Sequence, residues 1–223
     1  MIRRIVNAAF SAALLGGLAV LTVPARAQQF SADIVRAQAG GQPSAAAGKV
    51  YVSGNKVRIE TPDTPDGFFV VDVSKPATYF VRPAQQVYME ARQSSPLTQL
   101  LVPVDLSDPC RQWQAMSAIA AANGASAAWT CERIGHDAAG GREAIEYRAT
   151  LPTDRHIRAL IDPRLKWPVS LTMDDGTVID LAKIQEQPQP AALFEVPPGY
   201  HKFDPRALIE RIKQSDVWVE PQH

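Results

Sequence analysis

The stretch Lys49-Val50-Tyr51-Val52-Ser53-Gly54-Asn55-Lys56-Val57-Arg58-Ile59-Glu60-Thr61 decides the fold class. Two short runs rich in β-branched residues flank Gly54-Asn55, a dipeptide suited to a two-residue hairpin loop, so Lys49–Ser53 and Lys56–Thr61 read as paired antiparallel strands. Arg58, between Val57 and Ile59, reads as a position on the solvent side with Glu60 beside it. Downstream, Phe68–Val73, Thr78–Val81 and Val87–Glu90 repeat the theme, separated by Ser74-Lys75-Pro76-Ala77 and Pro83-Ala84. In Phe68-Phe69-Val70-Val71-Asp72-Val73 both parities are apolar. A sheet with one face in water alternates more strictly, so something covers the second face. Upstream, Ser31–Arg36 reads as the first strand, and Gly40–Gly48 as a loop.

The middle changes period. Ser107-Asp108-Pro109 combines capping side chains with a proline preset for a first helical turn. Trp113, Met116, Ile119 and Ala120 then recur at helical spacing up to Asn123-Gly124. Strands resume at Trp129–Ile134, Glu143–Ala149, His156–Asp162, Val169–Met173 and Thr177–Lys183, with turns at Asp137–Gly141 and Asp174-Asp175-Gly176. Pro163–Pro168 reads as a loop and Gln185–Pro190 as a polar linker. A last helix begins at Asp204-Pro205, with Leu208, Ile209 and Ile212 as its apolar positions. The expectation is a mainly β protein: a strongly curved antiparallel sheet of about nine to eleven strands with one internal and one C-terminal helix.

The first 27 residues have the grammar of an export signal. Arg3-Arg4 supplies the positive end, Ala8–Val23 is apolar, and Ala25-Arg26-Ala27 offers small residues for cleavage after Ala27. The run carries Gly16-Gly17 and ends in Pro24, which favours a signal over a transmembrane anchor. Residues 28–223 then form one domain of 196 residues, ample for a core. Its 20 basic and 23 acidic residues leave a net charge of −3, and no segment is strongly basic, which argues against nucleic acid as the main partner. The two cysteines, Cys110 and Cys131, read as a disulfide in an exported chain. It would tie the first turn of the internal helix to the strand that follows.

The sequence shows no local catalytic pattern. The spacing Ser53-x-x-Lys56 occurs in some acyl-transfer enzymes, but there the pair needs a helix turn, and here it straddles a hairpin. His136, His156, His201 and His223 show no metal-ligand spacing, so neither metal nor other cofactor is expected. What stands out is apolar surface on strands. Phe69, Val71, Tyr79, Val81, Tyr88, Trp113, Met116 and Trp129 are the candidates for lining a cavity between sheet and helices.

The run Gly48–Glu60, the segment Val81-Arg82-Pro83-Ala84-Gln85-Gln86-Val87-Tyr88-Met89-Glu90, the pattern Ala159-Leu160-Ile161-Asp162-Pro163 through Leu165-Lys166-Trp167-Pro168-Val169, and above all Leu193-Phe194-Glu195-Val196-Pro197-Pro198-Gly199-Tyr200 resemble a group of exported bacterial proteins. That group is similar in plan to the periplasmic lipoprotein carrier and its outer-membrane receptor. The resemblance spans roughly residues 30 to 203. It implies a half-barrel whose concave side is closed by helices and shelters acyl chains, with Arg58 as the candidate contact to a helical lid. The function it implies is non-enzymatic periplasmic binding or carriage of a lipid, acyl chain or lipoprotein. The alternative is an envelope interaction protein with a packed interior, its partner another envelope protein. An enzyme acting on envelope lipid or glycan ranks third.

Overall fold

The computed structural model describes residues 28–38, 46–75, 77–91, 96–120 and 128–214. The expected signal segment and Ala27 lie outside these residues, as do Trp218, His223 and the expected helix end Asn123-Gly124. The side chains of Ile119, Ala120, Leu208 and Ile212 lie outside the description too.

Twelve strands form one open, curled sheet. They are β1 (Gln29–Gln38), β2 (Ala46–Ser53), β3 (Lys56–Glu60), β4 (Phe68–Asp72), β5 (Ala77–Arg82), β6 (Val87–Glu90), β7 (Thr130–Ala139), β8 (Arg142–Thr150), β9 (His156–Asp162), β10 (Trp167–Met173), β11 (Thr177–Gln185) and β12 (His201–Lys202). Their order is β12-β6-β5-β4-β3-β2-β1-β11-β10-β9-β8-β7. Two meanders, β1–β6 and β7–β11, therefore meet where β1 pairs with β11. Every pairing is antiparallel except β12 on β6. Among the described residues three α-helices accompany the sheet: α1 (Pro96–Leu100), α2 (Pro109–Ala120) and α3 (Pro205–Gln214).

The expected hairpin is present. Ser53 faces Lys56, and Gly54 takes a φ of 59° at the first central position of the loop, where glycine carries no Cβ penalty. Bulges interrupt the β1–β2, β1–β11, β9–β10 and β7–β8 pairings, and each adds local twist and bend. Gly48 sits at the β1–β2 bulge with a φ of 145°; a Cβ there would lie 2.1 Å from the Glu60 carbonyl oxygen. Only glycine lets β2 and β3 approach this closely.

The curl gives the sheet an inner and an outer face. One core cluster joins Phe30 and Ile34 of β1, Val57 and Ile59 of β3 and Val71 of β4 to Tyr147 of β8 and Leu171 of β10, strands far apart in the sheet order. Leu97, Leu100, Trp113 and Met116 of α1 and α2 belong to the same cluster. The helices thus plug the concave side, and the apolar character of both strand faces has its explanation: helices cover one and the C-terminal chain covers part of the other. Trp113 is fully buried and its indole Nε1 donates to the Leu100 carbonyl oxygen at 3.1 Å. Tyr147 Oη donates to the Leu106 carbonyl oxygen at 2.6 Å. The Cys110–Cys131 disulfide ties the first turn of α2 to β7, with Cα atoms 5.5 Å apart.

The fold class is as expected, with differences of detail. The twelfth strand, β12, has two residues and pairs in parallel, adding to the eleven strands legible in the sequence. The segment Pro163–Pro168 is not all loop: β10 starts at Trp167, which is fully buried edge-on against Phe30 with ring centroids 5.3 Å apart. The region read as a turn from Asp137 is strand to Ala139, and only Gly140-Gly141 turn, with φ of 57° and 77°.

Candidate functional site

Alternation along the strands decides which expected cavity residues meet. In β4 and β5, Val71 pairs with Thr78 and Phe69 with Phe80, whereas Val70 pairs with Tyr79 and Phe68 with Val81. Val81 in turn faces Tyr88 on β6. Because side chains alternate between faces, Phe69 and Val71 point inward, and Tyr79, Val81 and Tyr88 point outward. The eight candidates therefore split. Phe69, Val71, Trp113, Met116 and Trp129 gather on the inner side. Val81 packs instead with Phe68, Val70, Tyr88, Val196 and Tyr200 in a separate outer cluster. Tyr79 stands edge-on to Tyr88 with centroids 5.9 Å apart.

Within the inner group there is a second division. Val71, Trp113 and Met116 have no exposed surface and fill the interior. Phe69 and Trp129 are only partly buried and line a cleft of about 550 Å³ at one end of the half-barrel. Its floor also uses Leu97 and Leu100 of α1, Leu151, Ile157 of β9, Met173 of β10 and Ile179 of β11. The sequence reading missed this set. α1 is only five residues long, too short to show a period. Ile157 and Ile179, by contrast, lie on ordinary alternating strands, and assigning a common inner face to β9–β11 would have found them.

The rim of the cleft is charged. Arg36, Asp63, Arg155 and Asp175 border it. Arg36 Nη1 lies 3.7 Å from Asp63 Oδ2, and Arg155 Nε lies 3.9 Å from Asp174 Oδ2. Asp175 accepts the backbone N–H of Thr177 at 2.8 Å, and this bond holds its carboxyl below the ordinary carboxylate value.

Arg58 lies on the outer face, because it pairs with Val70 across β3 and β4. Its guanidinium bonds Glu60 Oε1 through Nε and Nη2, both at 2.7 Å, and sits 3.4 Å from the centroid of the Phe68 ring. Nη1 donates to the backbone carbonyl oxygen of Leu193 at 3.4 Å. A carbonyl contact therefore exists, but to the C-terminal chain and not to the helices on the concave side. After β11 that chain runs back across the outer face. Gln189 N–H bonds the Gln29 side chain at 2.8 Å, and Phe194 is buried beside Ser53, Asn55, Lys56 and Asp72. The chain then adds His201-Lys202 to the free side of β6. It forms a strap, with Arg58 and Phe194 as its fasteners.

A second hollow, of about 680 Å³, lies beside this strap and is lined by Asp33, Lys49, Arg58, Glu60 and Asp66 among others. Its walls mix these charged side chains with Pro62, Pro65, Pro83 and the buried Phe68, and Asp33 is held by Lys183 and Lys49 at 3.0 and 3.1 Å. Those two ammonium groups, Lys183 first, keep the Asp33 carboxyl below its ordinary value. It has none of the partly exposed aromatic surface of the inner cleft. Among the described residues no group of three or more His, Cys, Asp or Glu is placed to hold a metal ion, and no helix is long and apolar enough to cross a membrane.

No family model and no curated protein sequence matches the chain. Among solved structures it is similar to PNGF-II, at 8% identity and a TM-score of 0.50, over 84% of this chain and 33% of that one. The chain thus spans about a third of that protein's length. It is also similar to MucB, at 14% identity and a TM-score of 0.41 over 74% of this chain and 56% of that one. A third similar structure is the LolA superfamily protein NE2245 from Nitrosomonas europaea, at 11% identity and a TM-score of 0.32 over 77% and 91%. Identities this low concern the fold alone.

Proposed function

We propose that the chain is an exported, non-enzymatic binding or carrier-like protein that shelters the apolar part of a ligand in the inner cleft. The observation that carries this reading is the combination of a floor with partly exposed aromatic and aliphatic side chains and a volume of about 550 Å³. Pockets of a few hundred Å³ with apolar walls and a few polar groups are the usual form of a small-molecule site. Placing eight to ten methylenes on that floor is worth about 6–8 kcal/mol gross, before ordering costs. The Cys110–Cys131 bridge supports an oxidising compartment and hence export to the periplasm.

The interior behind the cleft is packed with Trp113, Met116 and Trp167, and this favours a second reading, an envelope interaction protein. One experiment separates the two. The chain is purified from a periplasm without detergent and analysed by native mass spectrometry with lipid extraction. The carrier reading expects a defined lipid-like adduct; a bare mass, together with no uptake of added fatty acid or lipoprotein, overturns it in favour of the second.

A further inference from the structure

We propose that the ligand of the inner cleft is a single-chain amphiphile with an anionic headgroup, its chain on the apolar floor and its headgroup between Arg36 and Arg155. This rests on the reading of the cleft as the ligand site and adds the class of molecule.

Volume sets the number of chains. A methylene fills about as much space as a water molecule's ~30 Å³ share of the liquid, so the ≈ 550 Å³ cleft takes roughly 18 such groups. That suits one chain of a dozen or more carbons with the start of a headgroup, and a lipid with two such chains overfills it.

Charge sets the headgroup. Both cations on the rim are guanidiniums, whose fork of donors matches carboxylate and phosphate oxygens. Neither is tightly engaged by its protein partner. The Arg36–Asp63 and Arg155–Asp174 pairs are 3.7 and 3.9 Å long, with side-chain exposures of 44% and 73%, and of 60% and 38%. Such long, wet pairs are weak and easily exchanged. Two nearby carboxylates are bonded to backbone: Asp174 Oδ2 accepts the His156 N–H at 2.6 Å, and Asp175 accepts that of Thr177, while Asp63 is 73% exposed and stays solvated when Arg36 leaves it. An incoming anion therefore takes over guanidinium donors without stranding a buried acid. A cationic headgroup would meet two arginines that repel it, with the solvated Asp63 as the rim carboxylate that carries no backbone bond among those described.

Calorimetric titration with dodecyl probes below their micelle concentrations tests this. The panel is dodecanoate, dodecanoyl lysophosphatidate, dodecyl maltoside, dodecyltrimethylammonium and didodecanoyl phosphatidylglycerol. Dodecanoate and lysophosphatidate are expected to bind at least about tenfold more tightly than the neutral, cationic and two-chain probes. Which of those two binds better distinguishes a free acid from a lysolipid. Arg36→Gln and Arg155→Gln, both at exposed positions, should each weaken the anionic probes by about fivefold and leave the maltoside unchanged. Equal binding of maltoside, ammonium or two-chain lipid overturns the headgroup or single-chain inference while the cleft reading stands. No binding by any probe overturns both.

Discussion

Replacing Arg58 with Met keeps an unbranched stem over Phe68 and removes every charged contact. Three interactions are lost. The bonds to Glu60 involve side chains 17% and 38% exposed, so solvent screening limits them to about 0.5–1 kcal/mol. The guanidinium over Phe68, itself 6% exposed, contributes about another 0.5–1 kcal/mol, part of which a thioether on the ring restores. The 3.4 Å bond to the Leu193 carbonyl oxygen is long and weak, so Arg58 holds the strap mainly by seating Phe68, which packs with Val196 and Tyr200. The total is about 1–2 kcal/mol, or about 2–8 °C in Tm for a domain of this size. The loss should be local in character. Urea unfolding should show a lower midpoint with unchanged slope, and amide exchange should accelerate over residues 191–203 well before the β8–β10 core. Affinity for a dodecyl probe should not change, because Arg58 and the cleft lie on opposite faces of the sheet. Unchanged exchange in the strap, combined with a tenfold change in probe affinity, would refute this reasoning and return Arg58 to a role at the concave side.

Three further outcomes are expected. Phe194→Ala, at a side chain 3% exposed, should cost about 3 kcal/mol and release the strap, seen as proteolytic cleavage between residues 186 and 203 that the parent protein resists. The double variant Cys110→Ser/Cys131→Ser opens a link across a sequence separation of 21, which the chain-entropy account values at about 3 kcal/mol, or roughly 6–12 °C in calorimetric Tm; a shift under about 2 °C would contradict it. Acid should destabilise the fold in a defined direction. Asp33, Asp105, Asp137 and Asp175 all have folded-state carboxyls below the ordinary value, so their stabilisation is present above about pH 4 and lost as the pH falls through the lowered values. Urea midpoints should therefore be flat near neutral pH and drop below about pH 4, less steeply in Asp33→Asn, where the pairing with Lys183 and Lys49 is absent.

Eleven strands and two of the three helices were legible because their signals are local. Gly54-Asn55, Asp174-Asp175-Gly176 and Gly140-Gly141 punctuate β-branched runs, and Trp113 and Met116 recur with a helical period. The choice of face was not legible. Alternation states that Val70 and Val71 point opposite ways, but nothing in the run Phe68–Val73 says which side the helices take. Size and apolarity alone place Tyr79, Val81 and Tyr88 with Trp113, and only the strap's Val196 and Tyr200 show what Val81 and Tyr88 pack against. The strap itself has no period to read: its prolines and its two-residue strand pair with partners about 110 residues away. Trp167 was hidden by Pro168, which lies at a bulge of the β9–β10 pairing, where a missing donor is tolerated.

The central claim is that apolar ligand lies on the inner cleft floor and nowhere else. Isotope-edited nuclear Overhauser spectroscopy with methyl-labelled protein and an unlabelled dodecyl ligand tests it most directly. The account predicts cross-peaks from the ligand chain to methyls of Leu97, Leu100, Ile157, Met173 and Ile179, and none to Val70, Val81 or Val196. Cross-peaks to the outer-face methyls, or to no methyl at all, would contradict it.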